Sequence, residues 1–230
     1  MPKASPTTYG LLGMLATRPW TGYELTHQLR RSLRFVWSSS EGHLYREQKR
    51  LVDLGWAKVK KEKAGLRQRN RYSITPKGEA ALRSWLTTTP EEPHFEIEGI
   101  LKVFFADKGS VEDLIASMEA TAQAARAMLD ELRGIVEEYL EKGGPMSMLE
   151  KGIGGPDQER LEFGGRRMFP ERLHVVALVQ DAVTRLLAEL ERFCLVTAKE
   201  AREWPSTADP SLTSATRTRL EAVRDRISKG

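Results

Sequence analysis

The stretch Ser38–Lys60, SSSEGHLYREQKRLVDLGWAKVK, changes its period halfway along, and that change decides the fold. Its first part, residues 40–54, reads as a helix. Ser38, Ser39 and Ser40 offer N-caps. Leu44, Leu51 and Leu54 recur as one inward stripe, and Gly55 stands where a helix end favours a left-handed residue. His43, Arg46, Glu47, Lys49 and Arg50 are assigned to the outward face. From Trp56 the pattern alternates every second residue. Trp56–Lys60 reads as a strand, Lys61–Gln68 as a polar connection turning at Gly65, and Arg69–Ile74 as a second strand with Tyr72 and Ile74 on one face. Residues 56–74 therefore form a β-hairpin with a basic tip.

The flanks fit the same architecture. Thr8–Ala16 carries a broad apolar face and stops at Arg18-Pro19-Trp20, because the residue before a proline avoids helical angles. Thr21 and Glu24 have the spacing of a capping box, opening a helix that runs to about Ser32. Phe35, Val36 and Trp37 form an apolar elbow. After the hairpin, Thr75 caps and Pro76 occupies the first position of a fourth helix, which stops at Thr87-Thr88-Thr89-Pro90. Three short helices, the third basic on its outward face, followed by a hairpin wing and one more helix, define a winged helix-turn-helix over residues 1–90.

The charge sorts along the same boundary. The 230 residues carry a net charge of +4, but residues 1–90 hold 17 Lys and Arg against 6 Asp and Glu, giving +11, and the remainder is −7. A basic front on an acidic back points to a polyanion partner for the front. No run of apolar residues is long enough for a transmembrane helix, and the N-terminus lacks the apolar region of a signal peptide. A cytoplasmic location is the expectation. Cys194 is the lone cysteine, so no intrachain disulfide can form. The four histidines lack the spacing and cysteine partners of a metal site. No cofactor is expected.

Residues 91–205 read as a helical domain. A segment at about 95–105 bridges to a long helix capped by Ser110, striped by Val111, Leu114, Met118, Thr121, Ala125, Met128, Leu132, Ile135 and Tyr139, and ended by Gly143-Gly144-Pro145. Residues 141–169 are glycine-rich and read as a loop. Gly152-Ile153-Gly154-Gly155 within it lacks the Lys-Ser/Thr and the preceding strand of a phosphate loop. Pro170 opens a second long helix to about Trp204, too long to bury its stripe against a small domain alone. It is expected to pair with the first long helix and with a second subunit, and Leu173, Val176, Val183, Leu187, Leu190 and Cys194 are the candidate dimerisation residues. Residues 206–230 form a tail with at most a weak helix. The whole is mainly α with a small β-hairpin wing: an N-terminal winged helix-turn-helix followed by a C-terminal long-helix dimerisation domain.

Several motifs in one order resemble the PadR family of transcriptional regulators. They are Gly10-Leu11-Leu12, Gly22-Tyr23-Glu24-Leu25, Ser40-Glu41-Gly42-His43-Leu44-Tyr45, Leu51-Val52-Asp53-Leu54-Gly55 and Arg71-Tyr72-Ser73-Ile74-Thr75-Pro76-Lys77-Gly78. The resemblance is close over residues 7–86 and only in outline beyond. Gln48 departs from it, standing where an apolar residue is usual, and so does Glu41, where proline is common.

The resemblance implies a dimeric repressor, with the third helix in the major groove of operator DNA and the wing on the adjacent backbone or minor groove. Ser39, Ser40, His43 and Arg46 then face base edges. Tyr45, Lys49 and Arg50 suit phosphates, and Arg67, Arg69 and Arg71 of the wing suit phosphates or a narrow minor groove. Tyr45 as a half-buried packing aromatic and Arg50 as a solvated charge remain equally open. A small aromatic effector between arm and head, lined by Trp20, Trp37, Phe104, Phe105 and Trp204, is the alternative in which ligand capture is the primary event. Core packing is the plainer reading of those aromatics. No catalytic triad, metal triad or nucleotide motif can be assembled, so the chain is not expected to be an enzyme.

Overall fold

The computed structural model describes residues 4–64, 67–154 and 161–228. In chain order the elements are α1 (Pro6–Thr17), β1 (Trp20–Thr21), α2 (Gly22–Leu33), α3 (Glu41–Asp53), β2 (Ala57–Ala64), β3 (Arg67–Ile74), α4 (Pro76–Leu86), α5 (Glu98–Phe104) and α6 (Val111–Leu140). There follow α7 (Pro145–Glu150), β4 (Glu162–Phe163), β5 (Arg166–Arg167), α8 (Leu173–Ala201) and α9 (Thr213–Ser228). The chain divides into two compact units: one runs to Glu92 and takes in Tyr139–Val175, and the other comprises Pro93–Glu138 and the chain from Val176.

Local chemistry sets the helix boundaries in the first unit. Ser5 Oγ accepts from the Thr8 N–H at 3.2 Å while the Thr8 hydroxyl accepts from the Ser5 N–H at 3.1 Å, a reciprocal cap on α1. Thr21 and Glu24 do the same for α2 at 3.3 and 2.9 Å. Ser40 Oγ accepts from the His43 N–H at 3.3 Å and starts α3. Gly55, at φ +70°, turns the chain out of α3 into β2, a conformation that costs a residue with a Cβ. Thr75 caps α4, and its hydroxyl donates to the Gly55 carbonyl at 2.7 Å, so one side chain joins the end of α3 to the start of α4.

The sheet has the order β1-β3-β2, with Trp20 opposite Tyr72 and Ala57 opposite Ile74. The alternating pattern of the chain discloses the wing but not β1, since two residues are too few to show a period. Leu11, Leu12, Leu15, Leu25, Leu44 and Leu51 are fully buried between the three helices and the sheet. Tyr9 stacks on Trp85 with ring centroids 4.9 Å apart, fixing α4 against α1.

Residues 141–169, expected as a loop of the arm domain, fall in the first unit and are partly structured. They hold α7 and a small hairpin in which Glu162 pairs with Arg167 and Phe163 with Arg166. Its turn is Gly164-Gly165, both at positive φ, which a two-residue hairpin connection requires. Gly155 of the Gly152–Gly155 run lies outside the described residues.

In the second unit α6 and α8 run antiparallel. Val111, Leu114, Met118 and Ala122 of α6 bury against Cys194, Ala198 and Ala201 of α8, with Val103 and Trp204 packed on the edge. Arg126 forks onto Glu191 at 2.8 and 2.5 Å, and Arg202 pairs with Glu119. The Ser110 N–H and hydroxyl both donate to Asp113, holding that carboxyl below its usual range at the start of α6. Burial pushes the Cys194 thiol up and so keeps it a neutral packing group. The second long helix, expected from Pro170 to Trp204, begins at Leu173 after a 3-10 turn (Pro170–Arg172) and ends at Ala201. The tail forms an exposed helix, α9, joined to α8 by the Arg219–Glu200 ion pair.

Two glycines give opposite expectations. A Cβ at Gly78 would lie 2.2 Å from the Trp56 carbonyl oxygen, so Gly78→Ala should destabilise the protein by about 1–3 kcal/mol in urea unfolding. A Cβ at Gly134 on α6 meets nothing within 4 Å, so Gly134→Ala should stabilise it by roughly 0.5–1 kcal/mol.

Candidate nucleic-acid interface

Helix α3 buries one face and presents the other. The buried face is Leu44, Glu47, Gln48 and Leu51, an i, i+3, i+4, i+7 set. Glu47 therefore corrects the sequence reading, which placed it outward: it is 6% exposed. Its carboxylate accepts from the hydroxyls of Thr8 and Ser5 on α1 and lies 3.6 Å from Arg50. The hydroxyl partners are remote in sequence, so nothing local announced the burial of a charge. Gln48 is 1% exposed. Its amide donates to the Gly22 carbonyl at 3.0 Å and to the Thr26 hydroxyl at 2.8 Å. The residue that departs from the family pattern is thus a polar tie from α3 to α2.

The opposite face carries Gly42, Tyr45, Arg46 and Lys49, all exposed. The sequence reading did not single out Gly42. A Cβ there would lie 3.8 Å from an Arg46 Nη, in ordinary contact. His43 and Ser39 are half-buried at the start of α3. The Ser40 hydroxyl is occupied as the cap. Tyr45, left between two readings, is 40% exposed on this face. Arg50, left between phosphate and solvent, lies against Glu47 with its side chain mostly covered. Glu41 at the helix start pairs with Arg30 of α2, which offsets its negative charge beside this surface.

In the wing, side chains alternate between faces. Ala57 and Tyr72 turn inward, and burial raises the Tyr72 phenol above its usual range. Lys58, Lys60 and Glu62 share the outward face with Arg69 and Arg71. Arg71, expected to meet DNA, is engaged within the head: its Nε donates to Glu62 at 2.7 Å and an Nη donates to the Pro19 carbonyl at 3.3 Å. Arg69 is exposed. Lys58 and Lys60, expected only as strand residues, and Lys61, expected in the polar connection, are exposed cations of β2; the alternation of Lys58 and Lys60 was the missed signal. The Arg67 side chain and the tip at 65–66 lie outside the described residues.

The stripe assigned to a second subunit divides. Val183 and Cys194 are buried within the chain, and Leu190 packs against the α6–α8 cluster, so these three are corrected to internal contacts. Leu173, Val176 and Leu187 are half-buried. A second run, Leu178, Val179, Leu186, Phe193 and Val196, lies exposed roughly a quarter turn around the helix. The five aromatics considered as pocket walls separate: Trp20 and Trp37 belong to the first unit and Phe104, Phe105 and Trp204 to the second. Trp20 is core, and Phe104 and Phe105 are exposed. Among the described residues no group of three or more His, Cys, Asp and Glu side chains is placed to hold a metal ion, and no helix is long and apolar enough to cross a membrane.

A three-helix head with a cationic outer face on its third helix and a cationic hairpin beside it belongs to the winged helix-turn-helix class. Residues 11–84 match the Transcriptional regulator PadR-like family, and residues 98–160 match the Virulence activator alpha C-term family. Over residues 11–84 the chain is thus similar to PadR-like transcriptional regulators. It is similar to the negative transcriptional regulator PadR of Bacillus subtilis (strain 168), 26% identical over 148 residues, 64% of this chain and 81% of that one. Its fold is similar to that of B. subtilis PadR solved in complex with operator DNA, with a TM-score of 0.59, 20% identity, and coverage of 83% of this chain and 98% of that chain. The same protein solved with p-coumaric acid matches at 0.59 and 20%, over 85% of this chain and 98% of that one. A PadR-like transcriptional regulator from Bacillus cereus matches at 0.62 and 15%, over 85% and 98%.

Gln48→Ala breaks both ties to α2, leaving a carbonyl and a hydroxyl without their donor. It should cost about 1–3 kcal/mol in urea unfolding, and a loss below about 0.5 kcal/mol would show that the ties contribute little.

Proposed function

We propose that this chain is a sequence-specific DNA-binding repressor that acts as a dimer in the cytoplasm and is released by a small aromatic effector. The observation that carries the reading is the outward face of α3. Gly42, Tyr45, Arg46 and Lys49 project from a helix held by buried polar ties on its other side, next to a wing strand lined by Lys58, Lys60 and Lys61. The relative solved on operator DNA and with p-coumaric acid supports both the nucleic-acid partner and the effector class. In this reading α3 enters the major groove. Arg46 forms two hydrogen bonds to a guanine, and His43 and Ser39 meet neighbouring base edges. Tyr45, Lys49, Lys58, Lys60 and Arg69 hold phosphates and set the register. No step of catalysis is assigned to the chain. The exposed run on α8 meets the same run of a second copy, which brings two recognition helices to half-sites about 34 Å apart.

Footprinting on duplexes that the protein selects from a random pool tests the whole. Arg46→Ala should lose about 1–3 kcal/mol of discrimination at one base pair. Lys49→Ala and Arg69→Ala should weaken binding to all sequences and each reduce the salt slope by about one. Arg71→Ala should leave the slope nearly unchanged, because Glu62 already offsets its charge. If Arg46→Ala keeps full discrimination, α3 does not read the groove.

Leu186→Glu should convert the dimer to monomer in light scattering. Cys194→Ser should lower the melting temperature without changing the mass. A dimer that survives Leu186→Glu would place the interface elsewhere.

A further inference from the structure

The residues just after α1 are gripped by a segment more than 140 positions later in the chain. The Arg18 guanidinium lies 3.5 Å from the centre of the Trp20 ring and 5.9 Å from that of Phe169. The two rings are 6.0 Å apart and tilted by 45°. Arg18 Nε is buried with no hydrogen-bond partner, so the aromatic faces supply the contact that this part of the cation makes. Phe169 packs on the head's core, and its neighbours Met168 and Pro170 are buried. The segment is braced from its own side. The Met168 N–H donates to the Leu161 carbonyl at 2.8 Å, closing the β4–β5 hairpin, and α7 packs on the Pro170–Arg172 turn.

What Phe169 grips is a junction. Trp20 pairs with Tyr72 of β3, and Thr21 pairs with Arg71 and caps α2. The Pro19 carbonyl accepts from Arg71. The next residue, Gly22, supplies the carbonyl that holds Gln48 of α3. Residues 18–22 thus touch both the wing and the recognition helix, yet their own strand, β1, is two residues long.

We infer that Phe169 and Arg18 form a latch through which segment 161–172 sets the spacing of wing and α3, and that the latched arrangement is the one that binds specific DNA. This rests on the DNA-binding reading above. The mechanism is preorganisation. A corner fixed before binding removes the cost of ordering wing and helix against each other on the duplex. Specific DNA, which must meet both elements in register, gains from that. Non-specific DNA, which needs only cations near phosphates, gains little. Whatever displaces segment 161–172 then lowers operator affinity without touching a DNA-contacting residue.

The test uses full-length protein and duplexes selected from a random pool by the wild type, with an unrelated duplex alongside, read by fluorescence anisotropy. Phe169→Ala and Arg18→Gln should each weaken selected-duplex binding about three- to thirtyfold, with unrelated-duplex binding within about twofold of wild type. Phe169→Tyr, which keeps the ring, should bind as wild type does. Limited proteolysis should cut segment 161–172 faster in Phe169→Ala. Wild-type affinity in Phe169→Ala, with the segment released to protease, overturns the latch and leaves the DNA-binding reading intact. Equal loss on both duplexes also overturns it, by reducing Phe169 to general stability. A wild-type protein that selects no duplex overturns the DNA-binding reading and the latch together.

Discussion

The rotation of α3 about its own axis is the constraint on which the head depends. Leucines alone would hold the helix against the core but would tolerate a range of rotations, because apolar packing has little direction. Glu47 and Gln48 stand between Leu44 and Leu51 on the buried face and add direction. One is met by hydroxyls from α1, the other by a carbonyl and a hydroxyl from α2. A helix tied to two different neighbours by short polar contacts has one rotation that satisfies both. That rotation places Gly42, Tyr45, Arg46 and Lys49 outward. The cost of burying a carboxylate and an amide is offset only where the partners are in place, so the same ties reject misrotated packings.

Much of the head was legible from the chain alone, because its signals are local. Thr21 with Glu24, Ser40 before an apolar stripe, Gly55 after it and Thr75-Pro76 each act within one helical turn, and each is seen in the structure at its expected place. What was not legible depends on partners far along the chain. Glu47 reads as exposed because charge ordinarily is, and its burial is met by the hydroxyls of Thr8 and Ser5, some forty positions away, with Arg50 beside it. Arg71 is engaged from nearer by, by Glu62 across the hairpin, a pair that depends on the register of β2 against β3. β1 and the β4–β5 hairpin are too short to carry a period at all. Phe169 sits in a glycine-rich stretch whose composition hides its role.

Helix α8 shows the limit in a different form. Its apolar residues recur by three and four along its length, which identifies an amphipathic helix but does not say which neighbour each stripe meets. The structure separates two stripes. Val183, Cys194 and Ala198 are in the interior of one chain, while Leu178, Leu186 and Phe193 face outward. Alanines at 198 and 201 let α6 approach closely, and Arg126–Glu191 and Arg202–Glu119 fix the register between the helices. The small residues and the cross-helix ion pairs therefore mark where the internal stripe meets α6, a distinction that periodicity alone does not make.

The charge asymmetry takes its final meaning from which cations are already engaged. An excess of +11 over residues 1–90 counts every Lys and Arg alike. Arg30 faces Glu41, Arg50 faces Glu47, Arg71 faces Glu62 and Arg18 lies on aromatic rings. The cations without such a role in the fold include Arg46, Lys49, Lys58, Lys60, Lys61 and Arg69, which lie on α3 and on the wing. Arginine in this head tends to serve the structure and lysine tends to serve the surface. That division fits their chemistry, since a planar guanidinium suits forked and stacked contacts, whereas an ammonium is a hydrated point charge. Arg46 and Arg69 are the two exceptions among the exposed set, and they occupy the recognition helix and the wing. A planar donor fork on each of the two elements proposed to approach DNA is a more specific statement than any net charge: on α3 its two parallel donors suit a base edge, and on the wing they suit a phosphate.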